Sequence, residues 1–316
     1  MKKICFKYWP RENKDDDFFK NSLRKLGCEI VSEKEAEVMF FSSFVNGKNI
    51  GQIPSVEFSG KKVFHTGENI RIDMHKCDFA FGFDYEEEIN DKNYLRLPLY
   101  VYFGAGKNLI KPKNYDSNKI LKSKTRFCNY VYSKDAKERV KFFDDLGKYK
   151  KVDAPGKSLN NCEPIAPSKL TNLSKIIQKA EGLSGKYVIS SLLSRHLDNW
   201  REAIINYQKD YKFSIAFENS SYPGYTTEKI YHPMLANSIP IYFGNPEISR
   251  DFNTKSFVNY HDYNDFKKVF DVVIDLDSNE KKYLKMLNEP WLRGNKLNKW
   301  MDLKRIENQF EMILNE

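Results

Sequence analysis

Between Phe213 and Gly244 the hydrophobic pattern changes period twice. Phe213, Ile215 and Phe217 alternate with Ser214, Ala216 and Glu218, the two-residue repeat of a strand. Asn219, Ser220, Ser221, Pro223 and Gly224 then break the strand into a loop. Thr226 is the expected N-cap of a helix whose first turn holds Glu228 and Lys229. Ser238 to Phe243 reads as a buried strand, turned by Gly244, Asn245 and Pro246. The unit is β-α-β, and ligands of such units sit beyond the carboxyl ends of the strands. Free N–H groups at the helix start attract phosphate, and Lys229 would add a full charge. A Glu at a helix start also serves a plainer purpose, complementing the helix dipole. Pro233 lies past the first turn and is expected to kink the helix, with His232 packed beside the kink in preference to contacting the ligand.

The same periods run along the rest of the chain. Ile4, Phe6 and Tyr8 predict an opening strand. Residues Asp17 to Leu26 predict a helix with Phe19, Leu23 and Leu26 inward and Gly27 as its stop. Strands follow at Glu29–Val31, Val38–Phe41, Lys62–His65 and Phe79–Phe83. A second series starts with a strand at Phe127–Tyr132 and a helix at Lys134–Leu146, which contains Arg139. A further helix is expected at Asn264–Val273, and Asp277 with Glu280 would form a capping box for the next. Alternating strands and helices predict an α/β chain.

Three parts are expected: an N-terminal domain over 1–120, a C-terminal domain over 121–292, and a terminal helix over 293–316. The linker falls in the second half of the Gly-, Asn-, Lys- and Pro-rich stretch from Gly104 to Lys124. Residues 164–206 read as an enlargement, with one helix ending at Gly182 and an ambiguous apolar run over Tyr187–Leu193. The tail places Trp300, Leu303, Phe310 and Leu314 on one helical face. That stripe is expected to pack back on the body rather than on a membrane, because five bases against four acids attract anionic lipid weakly.

Composition narrows the class. The 316 residues are 41% hydrophobic and 30% charged, which suits packed cores and a solvated surface and excludes a disordered chain. The net charge of +9 raises the question of nucleic acid. The 43 acids are mixed among 52 bases without a basic block, so no nucleic-acid stripe is visible. Five cysteines, with no CxxC, suggest buried thiols and a reducing compartment. The opening MKKICFKYWP has too short an apolar run for a signal peptide, and no 18-residue apolar stretch occurs, so no transmembrane helix is expected. No DxD motif is convincing: Asp15-Asp16-Asp17 reads as a helix cap and first turn. The five histidines show no metal-binding spacing, and no metal site is predicted.

One further acid draws attention. Glu68 follows a predicted strand in Phe64-His-Thr-Gly67-Glu68-Asn69, where Gly67 would permit a sharp turn. Carboxylates at strand ends face clefts, although on composition alone Glu68 reads first as a solvated loop acid.

These segments together resemble the α-1,3/4-fucosyltransferases of glycosyltransferase family 10. The resemblance rests on Phe217-Glu-Asn-Ser-Ser-Tyr-Pro-Gly-Tyr-Thr-Thr-Glu-Lys229, Ile239-Pro-Ile-Tyr-Phe-Gly244 and Asp251-Phe-Asn-Thr-Lys-Ser-Phe-Val258. It extends more weakly through Val63–Glu68, Phe81–Asp84, Tyr94–Leu99 and Phe127–Asn161. It implies a GT-B architecture of two Rossmann-like domains facing a cleft, a GDP-β-L-fucose donor and inversion at the anomeric carbon. It implies Glu68 as general base and Glu228 beside the fucose ring. Lys229 and, by a looser match, Arg139 would hold phosphate, and Asn219 and Tyr225 would contact the donor. His65 stands where some relatives carry Tyr, which suggests the acceptor pocket; a structural strand-end His is equally compatible. Arg139 and Lys229 would replace a metal in stabilising GDP. The acceptor is expected to be an N-acetyllactosamine-type end, fucosylated at O3 of GlcNAc, on a surface glycan such as lipopolysaccharide. Relatives in animals and plants carry an N-terminal anchor, so a cytoplasmic bacterial-type enzyme, at most peripheral to the inner membrane, is expected. The alternatives are the same fold acting on another GDP-sugar, or a silent sugar-nucleotide or glycan-binding protein.

Overall fold

Two parallel sheets organise the chain. The computed structural model describes residues 1–10, 17–165, 181 and 200–315. Strand β1 (Lys3–Lys7) leads into helix α1 (Phe18–Lys25), then β2 (Glu29–Ile30) and β3 (Val38–Phe41). A small antiparallel hairpin, β4 (Phe44–Val45) and β5 (Lys48–Asn49), precedes β6 (Lys61–His65) and β7 (Phe79–Gly82). Short helix α2 (Glu86–Ile89), strand β8 (Tyr94–Arg96) and helix α3 (Leu99–Tyr102) complete the first unit. Its sheet has the order β2-β1-β3-β6-β7-β8 with every pair parallel.

Helix α4 (Ser117–Ser123) occupies the stretch expected to hold the linker, capped by the Asp116 carboxylate. The second unit then runs β9 (Arg126–Asn129), α5 (Lys137–Gly147), β10 (Val152–Asp153), α6 (Trp200–Gln208) and β11 (Tyr211–Phe217). It continues with α7 (Glu228–Leu235), β12 (Ile239–Phe243), β13 (Val258–Asn259), α8 (Phe266–Ser278), α9 (Glu280–Asn288) and α10 (Leu303–Asn315). Its sheet has the order β10-β9-β11-β12-β13, again parallel. Strands buried on both faces read as near-continuous apolar runs, which is why VMFF in β3 and IPIYF in β12 carry so little polarity. The α/β expectation and the two Rossmann-like units hold.

Several local expectations shift for identifiable reasons. Leu26 lies past the last turn of α1 and is 37% exposed, while Gly27 adopts φ +78° to end the helix. Asp277 caps no helix; Asn279 caps α9, and Asp277 instead pairs with Lys150 and Lys212. Pro233 sits inside α7, which continues to Leu235. Leu303 is exposed at the start of α10, so the tail's buried face is carried by Ile306, Phe310, Ile313 and Leu314. Phe310 packs on the first sheet, with ring centroids 5.4 Å from Phe19, 6.3 Å from Phe40 and 5.3 Å from Phe81. Of the expected enlargement, the helix ending at Gly182 and the run Tyr187–Leu193 lie outside the described residues, apart from Glu181. No helix among the described residues is long and apolar enough to cross a membrane.

Candidate functional site

Strand β11 ends in the buried core at Phe217, and the next two residues turn polar. Glu218 continues the ladder with its N–H on the Phe243 carbonyl at 2.7 Å, yet its side chain is buried. A buried carboxylate needs partners. Glu218 finds them across the loop: it accepts Thr227 N–H and Thr227 Oγ1, each at 2.7 Å, and lies 3.4 Å from Lys229 Nζ. Thr227, not Thr226, is therefore the N-cap of α7. Two adjacent threonines left that choice open in sequence. The Thr226 hydroxyl is engaged elsewhere, donating to Asp251 Oδ2 at 3.1 Å.

This cap aims Glu228 and Lys229 at the carboxyl edge of the sheet. Lys229 Nζ lies 3.0 Å from Thr227 Oγ1 and 3.5 Å from Glu228 Oε1. Burial pushes the ammonium down, but Glu228 and Glu218 more than offset it, so Lys229 is held well above its ordinary value and stays charged. Burial raises the Glu228 carboxyl, and Lys229, helped by His232, overcomes that and holds it below its ordinary value. Glu218 goes the other way: burial wins over Lys229, and its carboxyl is raised.

Arg139 approaches from α5. It is 2% exposed, so it is not a surface arginine of that helix. Its Nη2 donates to the Phe217 carbonyl at 3.1 Å and to Asn219 Oδ1 at 2.9 Å, and its Nη1 to the Lys134 carbonyl at 3.1 Å. The guanidinium lies 3.8 Å from the Tyr132 ring centroid. The Tyr132 hydroxyl in turn accepts Phe217 N–H at 2.7 Å and donates to the Ile215 carbonyl at 2.8 Å. Among the described residues, Arg139 Nε is buried without a hydrogen-bond partner.

Glu68 arrives from the other sheet. Past β6, Thr66 Oγ1 accepts Glu68 N–H at 3.1 Å, and the Ile70 N–H bonds to the Glu68 carbonyl at 2.7 Å, which tightens the turn. Asn69 Nδ2 donates to Ser220 Oγ at 2.7 Å and joins this turn to the loop after β11. The half-buried Glu68 thus faces Glu228, Lys229, Arg139 and Asn219 across one cavity of about 570 Å³. Its described lining carries four cations, Lys134, Arg139, Lys157 and Lys229, against the two acids Glu68 and Glu228. An excess of cations with an apolar wall of Val131, Ile204 and Ile215 suits an anionic ligand that also carries an apolar face.

Two expected residues sit differently. His65 is 3% exposed inside the first core, its ring 4.6 Å from Phe19, 5.3 Å from Tyr102 and 5.6 Å from Trp9. Burial lowers it to about 4, and it does not line the cavity. Tyr225 is also buried, its ring edge-on to Phe83 at 5.2 Å. Burial first, and then chiefly the Glu218 carboxylate, holds its phenol well above the ordinary value, and Tyr225 does not line the cavity. His232 does reach the cavity, one turn below Glu228, and burial lowers it to about 4. Sequence reading gave Glu218 no role beyond strand alternation. The signal available was an acid placed between the buried Phe217 and the loop.

The turn that leads into the cap depends on Gly224. Its φ is +81°, and a methyl group there would run into the Phe83 carbonyl oxygen. Gly224→Ala is expected to destabilise the fold by about 1–3 kcal/mol, read as a lower thermal midpoint.

Comparisons with known proteins identify the family and the fold. Residues 121–310 match the C-terminal domain of glycosyltransferase family 10 (fucosyltransferase), and residues 5–103 match the N-terminal domain of the α-(1,3)-fucosyltransferase FucT. The α-(1,3)-fucosyltransferase FucT of Helicobacter pylori is 32% identical over 256 residues, 79% of this chain and 51% of that protein. The α-(1,3)-fucosyltransferase B of Drosophila melanogaster is 35% identical over 96 residues, 29% of this chain and 21% of that protein. The chain thus spans about half of the first relative and about a fifth of the second. A crystal structure of an α1,3-fucosyltransferase with GDP-fucose superposes with a TM-score of 0.69 at 24% identity, covering 100% of this chain and 90% of that one, and establishes the GT-B fold. With 190 of its 316 residues inside the first match, the chain belongs to the fucosyltransferases of glycosyltransferase family 10.

Proposed function

We propose that the protein transfers L-fucose from GDP-β-L-fucose to a hydroxyl of a glycan acceptor with inversion. The observation that carries this reading is the cavity itself: one carboxylate from the first sheet faces a carboxylate and two deeply set cations from the second. Glu68 takes the proton from the acceptor hydroxyl as its oxygen attacks the anomeric carbon. The bond from that carbon to the β-phosphate oxygen breaks, and GDP leaves with the electron pair. Lys229 and Arg139 stabilise the charge that builds on the diphosphate, with the exposed Lys134 and Lys157 at the rim. Glu228, held ionised by Lys229, stabilises the positive charge that develops on the sugar ring. Asn219, fixed by Arg139, completes the donor contacts, and the buried Tyr225, outside the cavity lining, is given none. In this reading the first unit receives the acceptor and the second the donor.

Four cations at the cavity can neutralise a diphosphate without help, so the reaction is proposed to need no metal. The acceptor is proposed as an N-acetyllactosamine-type end of a surface glycan, with O3 of GlcNAc as nucleophile. A cytoplasmic location is part of the proposal, supported by five unpaired cysteines, four of them buried. His65 is given no acceptor contact, because its ring is enclosed by Trp9, Phe19 and Tyr102.

Calorimetric titration with GDP-fucose, GDP-mannose, GDP and UDP-glucose tests the donor assignment. GDP-fucose is expected to bind at least about tenfold more tightly than GDP-mannose, a difference of about 1.4 kcal/mol. Equal or reversed affinities would move the assignment to another GDP-sugar.

A further inference from the structure

A second network crosses between the two units outside the cavity. Arg96, at the end of β8, is 1% exposed. Its guanidinium forks onto Asp251, Nη1 to Oδ1 at 2.8 Å and Nη2 to Oδ2 at 2.9 Å. It also donates from Nη2 to the Gly224 carbonyl and from Nε to the Phe83 carbonyl, both at 2.9 Å. The rings of Tyr85 and Trp300 lie against it at 4.4 and 4.5 Å.

The other ends of this network all reach the loop that leads to the α7 cap. Asp251 Oδ2 accepts the Thr226 hydroxyl at 3.1 Å. Asn245 Oδ1 accepts Gly224 N–H at 2.9 Å, and Asn245 Nδ2 donates to Thr226 Oγ1 at 3.1 Å. Both chain neighbours of Tyr225 are thereby tied to the Arg96 fork. On the first unit, Phe83 follows β7, which pairs with β6 through His65 and Phe81, and the Phe81 carbonyl accepts Thr66 N–H at 3.2 Å. Thr66 holds the Glu68 turn. One guanidinium therefore touches the backbone frames of both sides of the cavity.

We propose that Arg96 is a positioning residue that fixes the separation between Glu68 and the Glu228–Lys229 helix start. A planar fork with five donors sets distance and angle together, which a lysine cannot do. A buried ion pair is by itself weak evidence of added stability, since apolar replacements of similar volume often do as well. The fork's carbonyl contacts give its retention a geometric reason. A displacement of about 1 Å between reacting groups costs on the order of 10²-fold in rate. The catalytic part of this inference rests on the donor reading above; the mechanical part does not.

The test uses the full chain carrying Arg96→Lys, which keeps the charge and loses the fork. A second variant, Arg96→Met with Asp251→Leu, removes both buried charges together. Amide hydrogen exchange is followed over residues 66–72 and 222–227, alongside GDP calorimetry, transfer from GDP-fucose and donor hydrolysis by water. In the folded variants exchange is expected to rise in both segments. The kcat for transfer falls about 10²-fold, far more than GDP affinity falls, and hydrolysis gains relative to transfer. Folded variants whose exchange and kcat match the unaltered protein, with only the thermal midpoint lowered, would overturn the proposal. Lack of GDP-fucose turnover by the unaltered protein would count against the donor reading, and the exchange measurement would still decide whether the clamp exists.

Discussion

Glu68→Gln is expected to lower kcat for transfer by about 10²–10⁴-fold while leaving GDP affinity within about twofold. The asymmetry follows from where Glu68 comes from. It is supplied by the first sheet, it reaches the cavity from the turn after β6, and it shares no hydrogen bond with Lys229 or Arg139. Removing its charge takes away the group that accepts the acceptor proton and leaves the phosphate cations in place. The substitution is also structurally mild, because the contacts that shape the turn involve the Glu68 backbone. Stopped-time assays of fucosyl transfer, paired with GDP calorimetry on the same preparation, read both quantities. A Glu68→Gln protein that keeps its turnover would remove the general-base assignment.

Lys229→Ala is expected to act on the other half of the reaction. A hydrogen bond to a charged group is worth about 1.5–3 kcal/mol, so GDP affinity should fall about 10–150-fold. The effect on kcat/KM should be larger, about 10³-fold or more, because the diphosphate gains charge as the sugar departs. A structural penalty accompanies it. Lys229 is the cation between Glu218 and Glu228, and its loss leaves the fully buried Glu218 carboxylate beside Glu228 with only the Thr227 hydrogen bonds to hold it. Leaving one buried charge unpaired costs about 3–5 kcal/mol. Circular dichroism and thermal unfolding therefore belong beside the kinetics. In Lys229→Ala with Glu218→Gln, which also removes the stranded charge, the thermal midpoint should recover while GDP affinity stays low.

The parts of this site that were legible in sequence are those whose geometry is local. Period-two alternation over Phe213–Phe217, the breaker run after it and the Glu228–Lys229 pair lie within seventeen consecutive residues, and they form the β11–loop–α7 corner. Five neighbouring strand runs of the first sheet, β2, β1, β3, β6 and β7, were legible for the same reason. What was not legible depends on partners far apart in the chain. Glu218 looks like an ordinary alternating residue until Thr227 folds back to it. Asp251 is an unremarkable acid until Arg96, 155 positions away, reaches it. His65 ends a strand, and only the packing of α1 and α3 against it, through Phe19 and Tyr102, shows that its ring faces the core. Arg139 is singled out in KERVKFF only by a looser family match, and its burial depends on Tyr132 and Asn219 from elsewhere. Shifts of one or two residues, as from Thr226 to Thr227 or from Asp277 to Asn279, arise where two residues of similar capping ability stand close together and tertiary contacts decide between them.

The central claim is that this cavity breaks GDP-fucose and hands the sugar to a glycan hydroxyl without a metal. The most direct measurement is the initial rate of GDP release from GDP-fucose, with and without N-acetyllactosamine, in the presence of EDTA. The account predicts release that rises severalfold with acceptor, is unaffected by EDTA and leaves an α-linked fucose on the product. Release that stops with EDTA and returns with a divalent cation would contradict the metal-free mechanism. A tightly bound GDP-fucose that is never turned over with any β-galactosyl-N-acetylglucosamine acceptor would contradict the transfer itself.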